Sequence, residues 1–291
     1  MKNRQHHSNK SRGNQGPHKG SGKGRDRNTG RHSEKEPGRA PEPRGPRASL
    51  YGFHAVREAW LNPGRTVEAL YVTDQSLKGF ESVIQEGKSR GLRRPQPSLV
   101  DKNRFDSLTP KGAVHQHLAL ACPGLEEIFV QDLIIRAADK EHCLLVMLDQ
   151  VTDPHNVGAI MRSASAFGAY GMIMQKKHAP ELDGVLAKSA CGAVEHLPVA
   201  YETNLSRAIE ELKEGGFFIF GLSEHAKKTV RDLKPGGKIV FVLGSEGDGM
   251  RRLIQEHCDE MVRLPTMGAI QSLNVSNAAA IALYALTSKE K

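Results

Sequence analysis

The chain has 291 residues, 38% of them hydrophobic, and a formal net charge of +8, which on a prior of roughly 150 residues per domain is enough for about two domains. No apolar run approaches the roughly 18 residues of a membrane span and no signal-peptide core is visible, so a membrane protein is not expected. The four isolated cysteines lack any C-x-x-C and the thirteen histidines lack H-E-x-x-H spacing, which excludes a disulfide framework, gives no reason to expect a metal, and fits buried, reduced thiols in the cytoplasm.

In chain order, residues 1–47 come first. They hold thirteen Lys and Arg against four Asp and Glu and almost no apolar side chains, Met1 and Ala40 aside, while the rest of the chain is close to neutral. Such a segment cannot bury enough surface to offset its ordering entropy, so a disordered basic tail is expected. Glu34, Glu36 and Glu42 and the missing amphipathic pattern argue against a transit peptide. A flexible polycation attracts a polyanion, and nucleic acid is the natural partner. Removing residues 1–47 is therefore expected to weaken nucleic-acid binding mainly at low salt and to make its salt dependence shallower; equal slopes with and without the tail would make it a bystander.

Order is expected from about residue 48. "YGFHAVREAWLN" reads as a helix stopped by Asn62-Pro63-Gly64, "VEALYVT" as a strand, and 78–89 as a polar helix. Strands around "PSLVD" and over "HQHLALAC" complete a small α/β unit at 48–122. Pro123 and Gly124 punctuate the chain, and "LEEIFVQDLIIRAAD" reads as a linker helix within 123–140. In 141–291 strands at 143–149, 170–175, 197–200, 217–222, 238–243 and 260–264 alternate with helices at 157–167, 183–190, 204–214, 250–257 and 275–287. Near-continuous apolar strands such as "FFIFGL" and "IVFVLG" suit a parallel sheet covered on both faces.

Ligands of such sheets bind beyond the carboxyl ends of the strands, where three loops are unusual. In "TDPHNVGAIMRSA", Pro154 pushes Asp153 out of the helical region. Asn156 and Arg162 are six residues apart, about 600° of helix, so they converge only if Asn156 lies in the loop or caps the helix; the plain alternative is an Asn cap and a solvated Arg. "GSEGDGM" has glycines that could wrap an anion, but Glu246 and Asp248 would repel it and no Lys follows. Its carboxylate better suits ribose hydroxyls, a cationic ligand, or the orientation of an Arg or amide; a Gly-rich turn with solvated acids is the alternative. "PTMGAIQSLNVSNAAAIALYAL" offers Ser272, Asn274 and Ser276 as caps, more than one helix uses. Its alanines at 278, 279, 280 and 282 admit a second backbone closely, as at a dimer interface, or reflect helix propensity alone.

Together, "DQVTDPHNVGAIMRSASAFGA", "KSACGAVEHLPV", "VLGSEGDGM" and "LPTMGAIQSLNVSNAAAIALY" resemble, in order and spacing, the signature motifs of the SPOUT superfamily, and more narrowly its TrmH (SpoU) branch of RNA ribose 2′-O-methyltransferases. The resemblance implies an α/β fold in which 141–291 form a trefoil-knotted SPOUT domain, with a ribosomal-protein-like RNA-binding domain at 48–122. It implies S-adenosylmethionine as cofactor with no metal, and a homodimer with its sites near the interface. It assigns Asn156, Arg162, Glu246, Ser272 and Asn274 to catalysis, and Gly221, Gly244, Leu264 and Leu273 to the cofactor. "YGFHAVREA" and the extra N-terminal domain resemble members acting on a guanosine of 23S rRNA in the peptidyl-transferase loop. A tRNA ribose methyltransferase and a non-catalytic ribosome-assembly factor are the alternatives. One departure is His117, in "HQHLAL", where relatives commonly have glycine.

Overall fold

The computed structural model of the protein describes residues 45–233, 236–269 and 272–288; residues 1–44 of the basic tail lie outside them. The first sheet is built from β1 (Leu50–Tyr51), β2 (Ala69–Val72), β3 (Ser98–Leu99) and β4 (Leu118–Ala121), in the order β1-β4-β2-β3. β4 runs antiparallel to both neighbours, and β2 and β3 are parallel. Between these strands lie α1 (Phe53–Leu61), α2 (Asp74–Ser89) and α3 (Lys102–Leu108). α2 starts earlier than the sequence pattern implied, because Thr73 and Ser76 form a reciprocal cap. α3 was not expected at all: Asp101 caps it by accepting from Arg104 N at 2.8 Å, and only Phe105 and Leu108 bury.

Before β4, Gln116 and His117 both sit in the left-handed region, with φ of 55° and 54°. A glycine would adopt this freely, whereas a β-carbon makes it costly by about 1–2 kcal/mol. The departure at 117 thus falls on a position whose backbone favours glycine.

The linker helix is shorter than expected. α4 covers only Val130–Arg136, because Ile128 is held extended in a parallel bridge with Ala200. Phe129 N donates to Asp132 Oδ2 and Val130 N to Glu202 Oε1, both at distances of 2.7–2.8 Å, which fixes the helix start.

The remaining chain runs β5 (Cys143–Asp149), α5 (Pro154–Ala166), β6 (Gly171–Gln175), α6 (Gly184–Ser189), a 3-10 turn (Ala193–Glu195), β7 (Val199–Glu202), α7 (Leu205–Glu214) and β8 (Phe217–Leu222). β9 (Lys228–Thr229), β10 (Lys238–Gly244), α8 (Arg252–His257), β11 (Glu260–Arg263) and α9 (Val275–Thr287) complete it. The seven strands form one parallel sheet in the order β7-β6-β5-β10-β8-β11-β9. Alternate residues of β5 point to opposite faces: Leu144, Val146 and Leu148 pack with Val157, Ile160 and Leu283, and Leu145 and Met147 with Leu133, Ile209 and Ile254. Helices therefore cover both faces, as near-continuous apolar strands require.

α9 packs on α5 and β10. Ala279 and Ala282 are fully buried, so the backbone these alanines admit is that of the chain's own core rather than a second copy. The thiols divide similarly: Cys122 and Cys143 are buried as expected, while Cys191 and Cys258 are only partly so. Among the described residues no helix is long and apolar enough to cross a membrane.

Candidate active site

β5 and β10 are adjacent, yet the chain leaves them in opposite directions, through α5 toward β6 and through α8 toward β11. Such a reversal opens a crevice at the carboxyl ends of the two strands. Asp149 ends β5 with its side chain fully buried, and opposite it Gly244 ends β10. The Asp149 carboxylate accepts from Arg251 N at 2.8 Å and Nε at 2.8 Å and pairs with Nη2 at 2.7 Å. That anchor fixes the far end of the loop 245–251, while Ser245 and Gly249 exchange two backbone hydrogen bonds of 3.1 Å across it. Gly244 has no room for a side chain: a β-carbon would lie 2.2 Å from the Gly249 carbonyl carbon and the Met250 nitrogen. Gly247 and Gly249 carry φ of 85° and 68°, which glycine adopts without strain.

The three loops meet at Glu246. α5 begins at Pro154, with Asp153 as its cap accepting from His155 N and Asn156 N, so Asn156 lies in the first turn of the helix. Its Nδ2 donates to Glu246 Oε1 at 3.2 Å. Asn274 caps α9 through its Oδ1, which accepts from Ser276 N at 3.0 Å and Ser276 Oγ at 2.6 Å. That leaves its Nδ2 to donate to Asn156 Oδ1 at 2.9 Å and to Glu246 Oε1, and Val275 N also donates to Glu246 Oε1 at 3.3 Å. The acid of the glycine loop thus orients two amides and a helix terminus. Ser272, the spare hydroxyl, is exposed at the rim of the adjoining cleft.

That cleft, about 680 Å³, opens at the carboxyl ends of β8, β10 and β11 and is walled by Leu222, Gly244, Leu264 and Leu273. Glu224, Glu246 and Asp248 line it, with no Lys or Arg among its described walls. Leucine side chains together with three carboxylates suit a cationic ligand with an apolar part and repel a polyphosphate. Gly221 does not line the cleft. A β-carbon there would run into Met261 Sδ at 2.6 Å and Cys258 Sγ at 2.9 Å, so this glycine lets those side chains pack behind the sheet end.

Arg162 stands apart from the Asn156–Glu246–Asn274 cluster. Both Asn156 and Arg162 are helical, so they leave α5 on different faces, and the exposed guanidinium donates from Nη1 to Cys191 Sγ at 3.2 Å. Sequence reasoning missed Asp149 and Arg251, although an acid ending six apolar residues was a visible signal. It also missed Cys191 as a partner, for which no local signal exists. A larger cavity, about 760 Å³, lined by Arg65, Glu195 and Tyr201 among others, touches none of the three loops. Burial, with Glu127 and Glu181 nearby, pushes the Tyr201 phenol there up to about 12, so it stays neutral and is no base. Among the described residues no three His, Cys, Asp or Glu side chains converge as metal ligands would.

These features can be set beside known proteins. The SpoU rRNA Methylase family model matches residues 143–284, and the model for RNA 2'-O ribose methyltransferase substrate binding matches 49–128. The 23S rRNA (guanosine-2'-O-)-methyltransferase RlmB of Haemophilus influenzae is 35% identical over 237 residues, which is 81% of this chain and 95% of that protein. Its namesake from Escherichia coli K12 is 38% identical over 240 residues, 81% of this chain and 96% of that one. The fold matches the SpoU methyltransferase AviRb from Streptomyces viridochromogenes in complex with AdoMet, with a TM-score of 0.66 at 23% identity over 80% of this chain and 88% of that one. It matches an AdoMet-bound rRNA methyltransferase from Sinorhizobium meliloti with a TM-score of 0.67 at 22% identity over 84% and 88% of the two chains. With the family model matching residues 143–284 and two relatives above 30% identity along nearly their whole length, the chain belongs to the SpoU rRNA methylase family.

Proposed function

We propose that this chain is a cytoplasmic enzyme that methylates a ribose 2′-hydroxyl of RNA, a guanosine of 23S rRNA in the peptidyl-transferase loop, with S-adenosylmethionine as donor. The observation that carries this reading is the meeting of Asn156, Glu246 and Asn274 at the mouth of a cleft walled by Leu222, Gly244, Leu264 and Leu273. The cleft's apolar walls would take a purine ring, and its carboxylates suit a ligand carrying sulfonium and ammonium charge. When bound, the cofactor supplies an electrophilic methyl group. The chain's own residues do the rest. A ribose hydroxyl is a poor nucleophile at neutral pH, so a developing alkoxide needs stabilisation. Arg162, with its guanidinium of several N–H donors, would hold the neighbouring phosphate and that negative charge. Glu246 holds the two amides that would position the ribose, with Ser272 at the rim.

The test is to map ribose methylation in the rRNA of a strain lacking this protein. One guanosine in the peptidyl-transferase loop should lose its methyl group and regain it on complementation. An unchanged rRNA pattern with a methyl group lost from tRNA would overturn the target.

We further infer a knotted domain, as the resemblance of the three motifs implies, with α9 packed on α5 and β10, and a homodimer through α9. Support for the dimer is the outer face of α9, where Ile281 and Tyr284 are 48% and 60% exposed, with Phe167 edge-on to the Tyr284 ring. Ile281→Glu with Tyr284→Glu is expected to give a monomer by light scattering and to abolish methylation, because the family's sites adjoin the interface. A dimeric, active double variant would place the interface elsewhere.

A further inference from the structure

We propose that the Cys191 thiol is the positioning residue of Arg162, holding its guanidinium in one place against the turn after α6 without neutralising it; this rests on the role given to Arg162 above. An exposed arginine on a helix explores many rotamers, and each turnover would have to order it. Here Nη1 donates to Cys191 Sγ at 3.2 Å, and among the described residues no carboxylate lies within ion-pair distance. A carboxylate would tether the group more strongly but would take up the charge that a phosphate and an alkoxide need. A thiol is a weak, neutral acceptor. Its own proton is directed to Lys188 O at 3.6 Å, which leaves a sulfur lone pair for Arg162.

The thiol's place is fixed from several sides. Cys191 has φ of 50°, left-handed for a residue with a β-carbon, and Gly192 follows at 92°. Such a conformation persists only where the surroundings demand it. On one side α6 meets α5 backbone to side chain: a β-carbon on Gly158 would lie 2.7 Å from Leu186 O and from Ser189 Cβ. On the other side α1 closes in, and a β-carbon on Gly192 would lie 2.3 Å from Glu58 Cγ. The same turn grips α5 a second time, where Ser189 Oγ shares a hydrogen bond of 3.3 Å with His155 Nδ1.

The test compares Cys191→Ala, Cys191→Ser and Cys191→Asp with the wild type on rRNA, with cofactor affinity as a check of folding. Alanine should lower kcat about tenfold, the effect of one lost hydrogen bond to a charged group, with KM for RNA and cofactor affinity unchanged. Serine, which keeps an acceptor, should recover most of that loss. Aspartate should be at least as slow as alanine, since it fixes the guanidinium but neutralises it. A merely structural thiol predicts no advantage of serine over alanine. An aspartate variant as fast as wild type, or an unimpaired alanine variant, would overturn the proposal. A second measurement does not need RNA: the ¹⁵Nε relaxation of Arg162 should report an ordered group in the wild type and serine forms and a mobile one in the alanine form. Equal mobility in all three overturns the positioning role. The expected relaxation pattern in an enzyme that leaves rRNA unmethylated would support the tether and sink the functional reading instead.

Discussion

Arg162→Ala is expected to lower the rate of rRNA methylation by at least about 100-fold while leaving cofactor affinity nearly unchanged. Removing one group that stabilises developing charge typically lowers kcat by about 10²–10³, and Arg162 is the exposed cation on α5, the helix whose first turn carries Asn156. The cleft proposed for the cofactor is lined by β8, β10, β11 and the loops around Glu246 and Leu273, and Arg162 is not part of its wall. Binding and chemistry should therefore separate in this variant. Calorimetry with S-adenosylmethionine and single-turnover transfer to an rRNA fragment would check both halves. Near-wild-type transfer would remove Arg162 from the mechanism. A large loss of cofactor affinity would mean that its effect reaches the cleft through the Cys191 turn.

Much of the parallel sheet was legible because its strands are apolar runs bounded by turn residues. "CLLVMLD" and "FFIFGL" occupy β5 and β8 with the expected limits, and α9 spans 275–287 as its pattern implied. What escaped was set by tertiary contacts. α3 buries only two side chains, too few for a periodicity, and the two-residue β9 exists only because β11 offers it an edge. The helix read over "LEEIFVQDLIIRAAD" lost its first turn to the bridge between Ile128 and Ala200.

The site divided in the same way. Asn156, Glu246 and Asn274 could be named from their loops, but the bonds joining them span 90 and 118 residues of sequence, beyond any local pattern. Local geometry was informative where it applied. Six residues of helix do keep Arg162 away from Asn156, and the partner that Arg162 found, 29 residues on, lies in a turn whose sequence of small residues gave no sign of it.

Glu195→Ala is expected to destabilise the protein by about 3–5 kcal/mol, the effect of leaving a buried charge without its partner. Arg65 and Glu195 form an ion pair at 2.9 Å with side chains only 4% and 1% exposed. Arg65 Nε also donates to Glu195 Oε1 at 3.1 Å, Arg65 Nη1 to Pro123 O at 2.6 Å, and Asn62 Nδ2 to Glu195 Oε2 at 2.7 Å. The pair ties the loop after α1 to the 3-10 turn before β7, the turn that also follows Cys191. Without the carboxylate, the guanidinium keeps one carbonyl and loses its counter-charge while its side chain stays almost wholly buried. Replacing both partners by apolar residues of similar size, Arg65→Met with Glu195→Leu, should recover most of the loss, since a buried ion pair contributes little net stability over a well-packed apolar pair. Urea unfolding of the single and double variants would test this. A single variant within about 1 kcal/mol of wild type would show that the seam opens to solvent, where an exposed pair is worth no more than that. A double variant no better than the single one would show that the hydrogen bonds to Pro123 and Asn62, rather than the unpaired charge, carry the stability of the seam.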